Sequence, residues 1–195
     1  MRKLLMCGRL NIIDDPLCQI VSDTLGIKFY SKSNDNLCPS EAVATIVHQE
    51  NRLLQADMQW GIQPSWSKRL LVNAQSESVA NKPTFAQAFA TGRCLVPCSG
   101  WYEWRKEGSN KQKYYFSHKY QQPIYMAGIS YYQQDAPSKV VTLTTQPNQI
   151  CGQFHHRMPV LITPENIAAW FNQNLDALQH LMLALEQDIL RVTAA

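Results

Sequence analysis

Residues 93–104 read RCLVPCSGWYEW, a run of apolar, β-branched and aromatic side chains that favours extended backbone. The strand-like character continues to residue 105. Further strand-like segments lie before and after this run, at residues 7–13, 42–48, 52–60, 113–118, 124–132, 140–145 and 158–162. Short strands therefore dominate the chain, and their succession favours a largely antiparallel sheet that curls toward a barrel.

Helices are predicted between and after the strands, at residues 14–25, 83–90, 164–172 and 175–186. Pro16 near the start and Gly26 after the end delimit the first of them. Thr163 followed by Pro164 is typical of a helix start, and the last helix repeats apolar residues at helical spacing. The order predicts an α+β fold: a single domain with a curved, mixed but mostly antiparallel, barrel-like sheet and peripheral helices.

Composition limits the class of protein. The chain has 195 residues, 45% of them hydrophobic, which suits one globular domain with a substantial core. Its net charge of +3 permits a nucleic-acid partner without requiring one. No apolar run approaches the roughly 20 residues of a membrane span, and the apolar stretch at residues 4–6 is too short for a signal peptide. We therefore expect a cytoplasmic protein without a membrane partner.

The cysteines are expected to be reduced thiols, because the chain is large and lacks an export signal. Cys94 and Cys98 could be combined with His155 and His156 into a zinc site. That spacing differs from the usual CxxC, and a strand reading places both cysteines on one face of a core strand. We predict neither a metal site nor a cofactor.

Cys7 occupies a position where a protein can begin, because it follows Met6. Residues 1–6 are interpreted as a leader or a mis-assigned start, and residues 7–195 as the domain. As an N-terminal residue, Cys7 carries both a free amine and a thiol. That pair can capture an aldehyde by forming an imine and then a five-membered thiazolidine, which a mid-chain cysteine cannot do.

Two acid–base candidates follow along the chain. Glu103 lies between aromatic residues, where burial would favour its neutral form and make it a proton donor. The alternative is an outward-facing carboxylate on an edge strand. His155 lies in a predicted loop and is either an acid–base group or an ordinary polar surface residue.

Four tryptophans cluster in the motif-bearing segments, at positions 60, 66, 101 and 104. Large aromatic side chains more often form a core. Alternatively, beside basic residues such as Lys68 and Arg69, they form a stacking surface of the kind that single-stranded DNA proteins use.

Together these segments resemble the SRAP family, the SOS response-associated peptidases or abasic-site processing proteins. The motifs occur in the family's order: MCGR (6–9), NLCP (36–39), WGIQPSW (60–66), NAQSE (73–77), RCLVPCSGWYEW (93–104) and HHRMP (155–159). They span most of the chain. The resemblance implies a single α+β domain around a curved mixed sheet.

The resemblance also implies covalent capture of abasic sites in single-stranded DNA by an N-terminal cysteine. It assigns catalysis to Cys7, Asn73, Glu103 and His155, and DNA contacts to Arg9, Trp66, Gln75 and Arg157. The implied protein is a DNA–protein cross-linking autopeptidase with hydrolase and possible lyase activity. It acts in DNA damage repair and the SOS response, as a monomer that associates with the nucleoid on damage.

Three departures from the family pattern accompany the resemblance. Gln75 stands where many relatives have Arg, which removes or relocates one phosphate contact. Six residues precede Cys7 where relatives usually have only Met. Relatives also continue into a further strand region after the last helices, whereas here residues 191–195 are expected to end the chain without one.

Other functions remain as alternatives. One is a cysteine-type peptidase that uses Cys7, His155 and Glu103 on other proteins. Another is a non-catalytic domain that binds single-stranded DNA, and a third is a cysteine that packs without any function.

Overall fold

The structure is a computed structural model that describes residues 8–185 and 189–195. Its strands are β1 (Leu10–Ile12), β2 (Asn34–Leu37), β3 (Ala42–Gln49), β4 (Arg52–Trp60), β5 (Asn73–Gln75), β6 (Arg93–Cys98), β7 (Gly100–Glu107), β8 (Asn110–His118), β9 (Ile124–Tyr131), β10 (Lys139–Thr145), β11 (Met158–Pro159) and β12 (Leu190–Ala194). Its α-helices are α1 (Asp14–Leu25), α2 (Pro83–Thr91) and α3 (Ile167–Asn172), with 3-10 helices at Cys151–Gln153, Pro164–Asn166 and Asp176–Met182.

These strands form two sheets, so the predicted α+β class with mostly antiparallel pairing is confirmed. The five-stranded sheet has the order β12-β8-β7-β1-β2. The seven-stranded sheet has the order β11-β10-β4-β3-β6-β9, with β5 also paired to β10. Because β9 pairs with β10 as well, five strands of this sheet close into a ring. Among the described residues, the parallel pairings are those of β10 with β4 and with β5.

The segment predicted as one strand at residues 93–105 is two strands in different sheets. β6 belongs to the ring and β7 to the five-stranded sheet, and the chain passes between the sheets at Ser99. Gly100 is required there, because a Cβ atom at this position would lie 2.2 Å from the carbonyl oxygen of Phe116. The pattern of apolar residues does not reveal this break, because the side chains are buried both at the end of β6 and at the start of β7.

The tryptophans divide between the two interpretations. Trp60 and Trp101 are fully buried in the core, whereas Trp66 is 69% exposed. The strands predicted at residues 42–48 and 52–60 form a hairpin: β3 and β4 pair as far as Gln49 and Arg52, around a turn in which both central residues have positive φ.

The C-terminal predictions need correction. The helix predicted at residues 175–186 is a 3-10 helix over Asp176–Met182, and its backbone becomes extended at Leu183. Apolar residues three apart serve a 3-10 helix as well as an α-helix, so the pattern misled. The expectation of no further strand is also wrong, because β12 pairs along its whole length with β8.

No helix in residues 8–185 and 189–195 is long and apolar enough to cross a membrane.

Candidate functional site

Asn73 is held by β10. It lies on β5 opposite Thr142, whose hydroxyl donates a 2.7 Å hydrogen bond to the Asn73 Oδ1. This bond fixes which end of the carboxamide faces β10. Gln75 lies two residues further along the same short strand, where its side chain is exposed. Alternation along a strand places Asn73 and Gln75 on the same face.

Arg157 joins the NAQSE and HHRMP segments. Its guanidinium donates two hydrogen bonds to the Glu77 carboxylate, at 2.7 and 2.6 Å, and a third of 2.6 Å to the Thr144 carbonyl. The hydrogen bonds from Arg157 lower the pKa of Glu77. Arg157 is only 6% exposed. This geometry disfavours the phosphate contact expected for Arg157 and gives it a positioning role between two segments.

Glu103 lies on β7 and is 5% exposed, so the alternative of an outward-facing carboxylate is wrong. β1 pairs with β7 through Leu10 and Trp101, and the amide of Tyr102 donates to the Arg9 carbonyl at 3.1 Å. Continuing this antiparallel register two residues past Leu10 and Trp101 sets Gly8 opposite Glu103. Cys7 lies outside the described residues.

His155 lies in the loop between β10 and β11. Its Nδ1 accepts a 3.2 Å hydrogen bond from the backbone amide of Arg157, and its ring stacks on His156 with the centroids 4.2 Å apart. Burial, followed by the neighbouring imidazole of His156, lowers the pKa of His155. The ring is therefore neutral near pH 7, and with Nδ1 accepting, its hydrogen is on Nε2.

The loop of His155 meets the strand of Glu103. Cys151 begins the 3-10 helix within this loop, and its carbonyl accepts the amide hydrogen of His155 at 3.0 Å. Burial, and secondly the charge of Glu103, raise the pKa of Cys151 to about 12. The thiol of Cys151 is therefore a neutral neighbour of Glu103, and His155 follows Cys151 by four residues in the same loop.

The remaining predicted DNA contacts are Arg9 and Trp66. Arg9 is half-buried, and its guanidinium contacts the sulfur of Cys38. Trp66 is exposed on a loop that also exposes Lys68 and Arg69. Ser67 stiffens this loop: its amide donates to Pro64 at 2.9 Å, and its hydroxyl donates to the Arg69 carbonyl at 2.8 Å.

In the described ranges, no group of three or more His, Cys, Asp or Glu residues is placed to hold a metal ion. Cys94 and Cys98 are both fully buried in β6, and burial raises the pKa of each thiol.

Glu77 and Phe154 are the residues that the sequence interpretation left without a role. Glu77 ends the NAQSE motif, so its place in that motif was a usable signal. Phe154 is a single aromatic residue before two histidines, and nothing in the local sequence indicates that it contacts another sheet.

Replacing His156 with Ala is expected to raise the pKa of His155 toward its ordinary value of about 6.5. The reason is that a neighbouring imidazole, when it is protonated, disfavours a second positive charge. An NMR titration of the imidazole proton shifts measures the titration midpoint of His155 in the wild type and in the variant. A wild-type midpoint for His155 at or above the ordinary value, or no rise in the variant, contradicts this account.

Comparison with known proteins identifies relatives over nearly the whole chain. The family model described as SOS response associated peptidase (SRAP) matches residues 6–194. The abasic site processing protein YoqW of Bacillus subtilis is 28% identical over 94% of this chain and 89% of its own. The abasic site processing protein YedK of Escherichia coli is 29% identical over 72% of this chain and 65% of its own.

Solved structures share the fold. A crystal structure of a Bordetella bronchiseptica protein superimposes with a TM-score of 0.84 at 18% identity, covering 97% of this chain and 99% of that chain. A phage-related protein from the same organism gives 0.81 at 22% identity, covering 97% and 94%. At these identities the similarity concerns the fold alone.

Proposed function

Because this chain belongs to the SOS response associated peptidase (SRAP) family, we propose that it processes abasic sites in single-stranded DNA by cross-linking to them through Cys7. The names of the curated relatives support abasic-site processing. The feature that carries the proposal is the buried Glu103. The register of β1 and β7 sets it opposite Gly8, the residue that follows Cys7, and the loop of His155 packs on the neighbouring β8 through Phe154.

The proposed chemistry uses the open-chain aldehyde of an abasic deoxyribose. The free amine of Cys7 attacks the aldehyde carbon, and loss of one water gives an imine. The thiol sulfur then adds to the same carbon while its proton passes to the nitrogen, closing a thiazolidine. No oxidant or reductant is consumed, because a carbon–nitrogen and a carbon–sulfur bond replace the carbon–oxygen double bond.

Three side chains have proposed roles at that carbon. Glu103 transfers protons during ring opening of the sugar and loss of water. His155, neutral with a hydrogen on Nε2, donates to an oxygen leaving the carbon and assists reversal of the adduct. Asn73, whose Oδ1 is held by Thr142, orients the sugar or the adduct through a hydrogen bond.

Exposure of Cys7 is part of the proposal. Residues 1–6 precede it, so hydrolysis of the Met6–Cys7 peptide bond must release them if translation begins at Met1. We assign this autoproteolysis to Glu103 and His155, with one water consumed. Intact mass of wild type and Glu103→Gln, each expressed from Met1, tests the assignment: only wild type is expected to begin at Cys7.

The direct test is a denaturing gel with a single-stranded oligonucleotide that carries one abasic site. Protein shown by intact mass to begin at Cys7 is expected to give a heat-stable shifted band, and Cys7→Ala to give none. Cys18→Ala is the matched control, because the Cys18 thiol is hydrogen-bonded to the backbone of Ser31 and has no proposed role in the reaction. No shift with the wild type overturns the proposed function.

A second candidate, non-covalent binding of single-stranded DNA, is favoured by the exposed Trp66 beside Lys68 and Arg69. Salt-sensitive binding without a heat-stable adduct would support this candidate. Cleavage of general protein substrates without any DNA adduct would instead support the peptidase alternative.

Trp66→Ala is expected to weaken binding of an intact single-stranded oligonucleotide by about 1–3 kcal/mol, because a base loses its stacking partner. Fluorescence anisotropy at one fixed salt concentration measures the change. Trp66→Phe is expected to retain most of the affinity. Tyr120→Ala, which removes another exposed aromatic ring, is the matched control. Equal losses for Trp66→Ala and Tyr120→Ala would show that no base stacks on Trp66.

A further inference from the structure

Phe154, the residue immediately before His155, inserts between aromatic side chains of the opposite sheet. Its ring makes an edge-to-face contact with Tyr114 at a centroid separation of 4.6 Å. It makes a second such contact with Phe116 at 5.2 Å. Both partners lie on β8 of the five-stranded sheet, whereas Phe154 belongs to the loop that connects two strands of the seven-stranded sheet.

Arg105 covers this contact from the other side. Its guanidinium carbon lies 4.8 Å from the centroid of Phe154 and 4.9 Å from that of Tyr114. A 2.9 Å hydrogen bond to the Tyr114 hydroxyl and an ion pair with Glu107 hold the guanidinium in place. The rings of Tyr114 and Phe116, together with the Arg105 cation over the ring of Phe154 itself, therefore fix the position of Phe154.

Glu103 lies on β7, the strand of Arg105, which pairs with β8. Tyr114 is the cross-strand partner of Glu103, so the two side chains lie on one face at neighbouring positions. Arg105 lies two residues after Glu103 and shares that face. The contacts that hold Phe154 are thus made by the immediate neighbours of Glu103.

We propose that Phe154 is the positioning residue that sets His155 relative to Glu103 in the cross-linking reaction; this rests on the function proposed above. Hydrogen bonds from the amides of His155 and Arg157 orient the imidazole within its own loop. Phe154 adds the link from that loop to the strand of Glu103. Without the ring, His155 keeps its loop geometry but loses its fixed distance from Glu103.

The test compares Phe154→Leu, which removes the ring but keeps an apolar side chain, with Phe154→Tyr, which keeps the ring. Phe171→Leu is the matched control, since Phe171 is buried and packs on His48, outside the loop. Two quantities are measured for each variant: the single-turnover cross-linking rate at saturating abasic oligonucleotide, and the affinity for an intact oligonucleotide. His155→Ala and the double variant Phe154→Leu/His155→Ala complete a cycle.

Phe154→Leu is expected to lower the cross-linking rate by about tenfold or more without changing affinity, because misplaced groups slow the chemical step. Phe154→Tyr and Phe171→Leu are expected to react near the wild-type rate. In the His155→Ala background, Phe154→Leu should have no further effect. The inference is overturned if Phe154→Leu reacts at the wild-type rate, or if Phe171→Leu lowers the cross-linking rate as much as Phe154→Leu does. It is also overturned if Phe154→Leu lowers the rate in the His155→Ala background by the same factor as in the wild type.

The outcome is distinguishable from failure of the proposed function, because that function fails if the wild type forms no adduct. The inference then still has its own readout in the NMR titration of His155. Phe154→Leu is expected to move the His155 midpoint upward, toward that of an exposed imidazole, and Phe154→Tyr to leave it in place. An unmoved midpoint in Phe154→Leu overturns the inference.

Discussion

Glu103→Gln is expected to slow formation of the heat-stable adduct by about 10²–10⁴-fold, the usual contribution of general acid–base catalysis. The substitution keeps the shape of the side chain but removes its ability to donate and accept a proton. Glu103 is buried beside the register position of Gly8, so water cannot easily replace it as the proton carrier. Each variant is prepared with Cys7 as its first residue, checked by intact mass, because Glu103→Gln is not expected to release residues 1–6 itself. Quenched time courses of cross-linking at saturating abasic oligonucleotide then measure the rate.

Glu50→Gln is the matched control for this prediction. Its side chain is 85% exposed in the β3–β4 turn, and the same change there should leave the rate at the wild-type value. If Glu103→Gln reacts as fast as Glu50→Gln, Glu103 is not the proton carrier. Equal affinities of both variants for an intact oligonucleotide confine the effect to the chemical step.

Arg157→Ala is expected to lower the free energy of unfolding by about 3 kcal/mol, because three charged hydrogen bonds of a buried side chain are lost and the Glu77 carboxylate loses its charged partner. For a chain of this size the melting temperature should fall by roughly 6–12 °C. Arg157→Lys is expected to recover only part of the loss, since an ammonium group cannot donate two parallel bonds to Glu77. Thermal and denaturant unfolding measure both variants.

The control for Arg157 is Arg52→Ala, which breaks an exposed 3.5 Å ion pair with Glu50 and should change stability by less than about 0.5 kcal/mol. Salt dependence of DNA binding separates the two roles considered for Arg157. A positioning residue leaves the salt slope of binding unchanged. If an Arg157 variant has wild-type stability but a reduced salt slope of DNA binding, Arg157 contacts a phosphate, as the family resemblance implies.

The sequence predicted the fold class because its strand segments and turn residues are locally consistent. The hairpin of β3 and β4 is an example, with β-branched residues such as Thr45 and Ile46 in β3 and a turn at Glu50 and Asn51. β2 was missed because its sequence, NDNL, is polar and owes its strand conformation to pairing with β1. The division of residues 93–105 into two strands was missed for a related reason: only tertiary contacts at Gly100 reveal it.

The candidate site was predictable only as separate motifs. Nothing in the local sequence indicates that the NAQSE and HHRMP segments lie on either side of β10, where the ion pair between Glu77 and Arg157 joins them. The exposure of Trp66 and the burial of Trp101 likewise depend on which side of a sheet or loop each ring occupies. Side-chain type therefore predicts the chemistry, whereas pairing between distant strands decides which groups share a site.

The central claim is that Cys7 bonds to the lesion through both its amine and its thiol. The most direct measurement is mass spectrometry of the trypsin-digested adduct, with intact mass of the protein recorded before and after reaction. The account predicts the abasic sugar attached to the peptide Cys7-Gly8-Arg9, with the loss of one water. An adduct formed by protein that still carries residues ahead of Cys7 would contradict it.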